Sequence, residues 1–113
     1  MQPPITLALV RSAHRQWDAL RDTLAPLSNV RIVGDVHPAQ SLRVLAGCHP
    51  MAMLVDADLV DRPSVPLVRD LRALSPDSKI ILLGATATLD GAALITLHDQ
   101  GITGYLVWEE TAP

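Results

Sequence analysis

Five short apolar runs punctuate the chain: ITLALV at 5–10, VRIVGDV at 30–36, MAMLVD at 51–56, KIILLG at 79–84 and TGYLVW at 103–108. They recur at intervals of roughly 20 to 25 residues, the spacing of a repeated strand–helix unit. The first, third and fourth are almost continuously hydrophobic, as strands covered on both faces must be. VRIVGDV alternates more and contains Gly34, which suits an outer strand.

The segments between these runs have helical periodicity. From His14 to Leu27, the residues Trp17, Leu20, Leu24 and Leu27 fall on one stripe at spacings of three and four. Pro38 suits the first turn of a second helix carrying Leu42, Leu45 and Ala46, with Gly47 and Pro50 closing it. Pro63 and Pro66 fit only a first turn, after which Leu67, Val68, Leu71 and Leu74 face inward until Pro76 stops the helix. Thr88 is placed to cap a last helix that runs through Ile95 and ends at Gly101. Strands alternating with helices, joined by short connections, predict right-handed crossovers and a parallel sheet with helices on both faces. After TGYLVW only EETAP remains, too little for a fifth helix, so part of one face is expected to be bare or covered by a partner.

Composition narrows the class. The chain has 113 residues, enough for a single domain that buries about two-thirds of its unfolded surface. It is 49% hydrophobic and 19% charged, with two Trp, one Tyr and no Phe, so Leu, Val, Ile and Ala build the core. A net charge of −3 without a basic run argues against direct binding to nucleic acid or an anionic membrane. No apolar stretch approaches a membrane span, and MQPPITLALV lacks the basic start and cleavage site of a signal peptide. Cys48 is the sole cysteine, which excludes an internal disulfide and a cysteine-based metal site. These features predict a reducing, cytoplasmic setting.

In a doubly wound sheet, chemistry gathers at the carboxyl ends of the strands. The residues there are Arg11 and Ser12, His37, Asp56 and Asp58, Gly84 to Thr86, and Trp108 to Glu110. Asp56 ends a buried run, MLVD, where a carboxylate is costly unless something uses or neutralises it. Histidines 14, 37, 49 and 98 show neither i, i+4 nor His-x-His spacing, so they do not predict a metal site. VRSAH after the first run is no glycine-rich phosphate cradle, which argues against a nucleotide-binding enzyme. Cys48 reads as a small packed hydrophobe.

Three longer stretches, NVRIVGDVHPAQSLRVLAGCHPMAMLVDADLVD, LVRDLRALSPDSKIILLGAT and LHDQGITGYLVWEE, together resemble the receiver domains of bacterial two-component response regulators. The likeness is greatest to receivers joined to LuxR-type helix-turn-helix modules, and it spans essentially the whole chain. It implies a flavodoxin-like, doubly wound, five-stranded parallel sheet of order 2-1-3-4-5, here with the fifth helix missing or truncated. It also implies one domain over residues 1–113, the N-terminal part of a longer regulator. The family transfers a phosphoryl group from a histidine kinase to one Asp with Mg²⁺, and the resemblance places Asp56 at that acceptor.

The acceptor's companions differ. Where the family has two acids after the first strand to hold Mg²⁺, this chain has Arg11 and Ser12. Where it has a Thr or Ser at the end of the fourth strand, this chain has Gly84 followed by Ala85; where it has a Lys after the fifth, Trp108 stands. Mg²⁺ requires octahedral oxygen ligation, usually including one or two carboxylates. A cationic Arg11 at about 4 Å in an effective dielectric near 20 repels each unit of positive charge by about 4 kcal/mol, and a divalent ion by about twice that. Without metal, hydroxyl or lysine, little remains to stabilise a transferring phosphoryl group. The expectation is therefore a pseudo-receiver without catalytic residues, in which Mg²⁺ binding is lost and no cofactor is held. Asp56 is expected to pair with Arg11, since a guanidinium can bind a carboxylate bidentately.

Around this degenerate site, Asp58 and Asp61 read as solvated loop acids, Ser12 as the first helix's N-cap, and Thr86 and Thr88 as caps. Tyr105 and Trp108 are candidate anchors of an interaction face, the family's Tyr105 position being one that rotates inward on activation. The expected partners are a protein or a second copy of the chain. A histidine kinase is expected only if Asp56 remains an acceptor, and DNA only through an output domain outside this chain. Two other readings stand beside this one: a small-molecule sensor using Arg11, Gly84 and Trp108 for an anionic aromatic ligand, and a working phosphoacceptor using Asp56 and Asp58.

Overall fold

The computed structural model describes residues 3–37, 43–59, 64–84 and 91–107. Five strands, β1 (Ile5–Val10), β2 (Val30–Val36), β3 (Ala52–Asp56), β4 (Lys79–Gly84) and β5 (Gly104–Val107), form one sheet in the order β2-β1-β3-β4-β5. Every neighbouring pair is parallel. Strands β1, β2 and β4 coincide with the apolar runs read from the chain, because uninterrupted Leu, Ile and Val favour the pleated surface and suit a sheet buried on both sides. The alternating run with Gly34 is indeed an edge strand. Its register slips opposite Leu7 and Ala8, so that Ile32 pairs with Leu7 but Gly34 with Ala8. A β-carbon at Gly34 would stand 3.2 Å from Leu45 Cδ2, so the glycine lets the next layer approach this irregularity.

Among the described residues four helices accompany the strands: α1 (Arg15–Leu24), α2 (Val44–Cys48), α3 (Ser64–Leu74) and α4 (Gly91–Asp99). Leu45 of α2, Leu67, Val68 and Leu71 of α3, and Leu97 of α4 join Ala8, Val10, Met53, Val55, Ile80 and Leu82 in one large buried cluster. Each fully buried side chain of this size contributes about 1.5–3 kcal/mol. On the opposite face Trp17 of α1 packs with Leu9 and Leu83 in a smaller cluster, flanked by Leu20, Ile32, Leu54 and Ile81. Leu106 pairs with Leu83 across the sheet and so points to this second face, yet it remains 55% exposed. Among the described residues, α1 is the helix that contributes to this face.

Helix limits differ from the periodic reading in instructive ways. The helix expected over 14–27 ends at Leu24, because Pro26 cannot donate a backbone bond and obstructs further turns, and Leu27 is 43% exposed beyond it. Ser12 is not the N-cap: His14 is, its Nδ1 accepting from the Gln16 N–H at 3.2 Å. Helix α2 closes neither at Gly47 nor at Pro50. Gly47 lies inside it, and His49 takes the left-handed conformation at φ 46°. The last helix is followed, as predicted, by a glycine with positive φ, Gly101 at 91°. Pro38, Leu42, Asp61, Pro63, Ala85, Thr86, Thr88 and Trp108 lie outside the described residues.

Candidate functional site

The ends of β1, β2 and β3 converge because their registers end nearly in step: Val10 pairs with Val36 on one side and with Val55 on the other. The first residue beyond β1 is Arg11, whose N–H donates to Val36 O at 3.0 Å, so the strand pairing continues one residue past the assigned end. Arg11 is only 8% exposed. A buried guanidinium needs acceptors for its N–H groups. It finds them in Asp35, with Nε to Oδ1 at 2.7 Å and Nη2 to Oδ2 at 3.2 Å, in Asp18 of α1, with Nη1 to Oδ1 at 2.9 Å, and in Ser12 O at 3.1 Å. Hydrogen bonding to Asp35 raises the Arg11 pKa above that of an ordinary arginine. Burial opposes this, and the charge of Asp35 with the bond and charge of Asp18 outweigh it. Arg21 extends the network, with Nη1 3.6 Å from both Asp18 and Asp35.

The expected Arg11–Asp56 ion pair is therefore corrected. The planar fork matches Asp35 bidentately and turns toward β2 and α1 rather than toward β3. Asp56, 3% exposed at the end of β3, is held by backbone groups: Oδ2 accepts from the Ser12 N–H at 3.1 Å and Oδ1 from the Asp58 N–H at 2.8 Å. Ser12 thus serves the site through its main chain, while its hydroxyl accepts from the His14 N–H at 3.3 Å. Asp58 is exposed, as a loop acid should be, but its amide closes a turn back onto Asp56.

The third part of the site is Gly84, buried at the end of β4. A β-carbon there would lie 2.9 Å from Ala57 Cβ, 3.1 Å from Asp58 Oδ1 and 3.2 Å from the Tyr105 hydroxyl. Tyr105 is partly buried against the larger core cluster, so its ring belongs to the interior as well as to the β5 edge. Cys48 is half-buried, its thiol 3.2 Å from Val33 O, in keeping with a packing role. An open pocket of about 250 Å³ borders Arg11, lined by Ser12, Ala13, Asp18, Asp35, Val36 and His37. Its acids neutralise the guanidinium and Gly84 does not line it, so it is not the anionic-ligand pocket expected from Arg11 and Gly84.

Asp35 and Asp18 are site residues that no single element reveals. Asp35 stands one position before the end of the strand beside β1, and Arg11 one position after the end of β1. Two parallel strands ending in step place such residues together, which was the available signal.

No family model matches the chain, and no curated protein matches it in sequence. Solved structures do match in shape. The signal receiver domain of the response regulator NarL from Mycobacterium tuberculosis superposes with a TM-score of 0.76 at 16% identity, covering 97% of this chain and 88% of that one. The isolated REC domain of RcsB from Salmonella enterica serovar Typhimurium, solved with the phosphomimetic BeF3−, gives 0.73 at 16% identity over 97% and 80%. A response regulator from Burkholderia pseudomallei, solved with a phosphorylated aspartic acid, a calcium ion and citrate, gives 0.73 at 21% identity over 96% and 61%.

This chain has the receiver fold. The strand order and the position of Asp56 at the end of the central strand β3 agree with it. The Mg²⁺ implied by receiver chemistry does not fit the donors present. Among the described residues, the end of β3 offers one buried carboxylate whose two oxygens already accept N–H bonds and one exposed acid, with a guanidinium at the end of β1. Among the described residues no three His, Cys, Asp or Glu side chains come together as a metal site, and no helix is long and apolar enough to cross a membrane.

Proposed function

We propose that this chain is a receiver-like signalling domain that acts by protein contact without taking up phosphate on Asp56, and that it regulates a transcriptional output attached to it or carried by its partner. One observation carries this reading: the end of β1 presents Arg11, locked bidentately to Asp35, beside an Asp56 whose oxygens are both engaged by backbone amides. A phosphoryl group arriving at Asp56 adds negative charge that only metal ions and positioned donors can offset. Gly84 contributes no hydroxyl, and the Arg11 fork is already committed to its own acids. On this reading the chain is not an enzyme, and its partner is a protein or a second copy.

The working phosphoacceptor is the competing reading, favoured by the placement of Asp56 alone. Intact-mass analysis after incubation with acetyl phosphate and Mg²⁺ separates the two. The proposal expects an unmodified mass for wild type and for Asp56→Asn alike. A phosphate adduct present in wild type and absent from the variant would overturn it.

A further inference from the structure

We infer that the irregularity in β2 is the device that sets the Arg11 lock: one extra residue, Val33, turns Asp35 onto the face of the sheet where Arg11 and α1 meet. Ile32 packs on the smaller cluster with Leu9 and Trp17, whereas Val36 belongs to the larger one with Ala8 and Val10. Side chains four positions apart on a regular strand point to the same face. These two point to opposite faces, so half a period is gained between them. The register shows where. Ile32 pairs with Leu7 and Gly34 with Ala8, which leaves Val33 over as a bulge. Bulges are rare between parallel strands, and they re-aim the residues that follow.

A regular ladder counted on from Ile32 and Leu7 would set Val33 opposite Ala8 and Asp35 opposite Val10. The carboxylate would then face the large apolar cluster to which Val10 belongs, where burying it is costly. With the bulge, Asp35 pairs instead with Leu9, on the α1 face, and its oxygens reach Arg11 at 2.7 and 3.2 Å. Gly34 fixes the place of the bulge. A β-carbon opposite Ala8 would stand 3.2 Å from Leu45 Cδ2, and Leu45 is fully buried, so the strand presents its glycine there rather than Val33. The Val33 carbonyl meets α2 as well, 3.2 Å from the Cys48 thiol, which also lies 3.3 Å from Val44 O. The seat of α2 thus bears on Arg11 through the register of the edge strand. The bulge assignment stands on register and packing; its meaning for signalling rests on the proposal that Asp56 is not phosphorylated.

Two single-residue deletions test the device. Removing Val33 leaves a straight ladder with Gly34, Asp35 and Val36 still opposite Ala8, Leu9 and Val10. Removing Gly34 leaves the same ladder but puts Val33 against Leu45. The Arg11 Nε–H, assigned in nitrogen-15 NMR spectra by its loss in Arg11→Lys, reports the lock through its exchange with solvent. Deletion of Val33 is expected to give a folded chain in which this hydrogen stays as protected as in wild type, whereas Asp35→Ala abolishes the protection. The chain lacking Gly34 is expected to melt at a lower temperature than the chain lacking Val33, and Leu45→Ala in both to narrow that gap. An unfolded chain or an unprotected Arg11 after deletion of Val33 would overturn the inference. So would a chain lacking Gly34 that melts no lower than the other, or a gap that Leu45→Ala leaves unchanged. A phosphate adduct on Asp56 beside the expected deletion results overturns the signalling proposal and leaves the bulge assignment intact. Failure of the deletion results without any adduct overturns the bulge assignment alone.

Discussion

Arg11 Nε lies 2.7 Å from Asp35 Oδ1, and this contact between neighbouring strands turns the guanidinium away from the acidic residue at the end of β3. The pair is asymmetric: the Arg11 side chain is 10% exposed, that of Asp35 28% and that of Asp18 46%. Removing a partner from a buried charge costs more than the pair itself contributes, because the orphan cannot reach water. Asp35→Ala is therefore expected to cost about 2–3 kcal/mol, and Asp18→Ala under about 1 kcal/mol since that acid is half-solvated. Arg11→Met should fall between them at about 1 kcal/mol, because the acids left behind can hydrate. Urea unfolding of the three variants measures this order. Because the folded pKa of Arg11 is raised, its contribution is complete at every pH below the unfolded arginine pKa and fades only above it. No loss from this group is expected between neutral and moderately alkaline pH.

Asp56→Asn tests whether the two amides recognise a carboxylate. Asparagine offers one acceptor oxygen, so either the Ser12 N–H or the Asp58 N–H must face an amide NH₂. A buried donor left unsatisfied costs about 1–3 kcal/mol, and the variant should lose stability by that amount. Exchange of the two amide hydrogens should also accelerate. A neutral outcome in both measurements would mean that Asp56 does not organise these turns.

His49 holds a left-handed conformation at φ 46° that glycine adopts without a β-carbon penalty. His49→Gly is expected to stabilise the chain by about 0.5–1 kcal/mol, the gain being limited by the extra freedom of the unfolded glycine. Thermal melting checks the sign. His49→Val, β-branched at the same backbone angles, should move the melting temperature the other way.

The strands were legible because continuous Ile, Leu and Val runs leave little choice of structure, and β1, β2 and β4 fall on the runs that announced them. Asp56 was legible as a strand-end acid from the break in MLVDAD. Its partners were not. Hydrogen bonds from the Ser12 and Asp58 amides leave no mark in residue identity, since any residue but proline donates in the same way. The role of Asp35 depends on strand order and register, which a strand read singly does not contain. The close packing around Gly84 is hidden for a similar reason: a glycine at a strand end signals a close approach but not which neighbours make it.

Restoring an acid at the end of β1 examines the same site from the opposite direction. Arg11→Asp would set a carboxylate beside Asp18 and Asp35, where the guanidinium now supplies the compensating charge, next to the residue whose N–H holds Asp56. Without a cation the variant should be destabilised by more than Arg11→Met, because repulsion is added to lost pairing. A divalent ion that binds the folded state alone then raises its stability by an amount set by mass action, about 2.7 kcal/mol at a hundred times its dissociation constant. Melting temperature against Mg²⁺ concentration is the measurement: a saturable rise is expected for Arg11→Asp and none for wild type. A wild-type rise as large as the variant's would show that Arg11 does not keep the cation out, and the account of a metal-free site would fail at its first element.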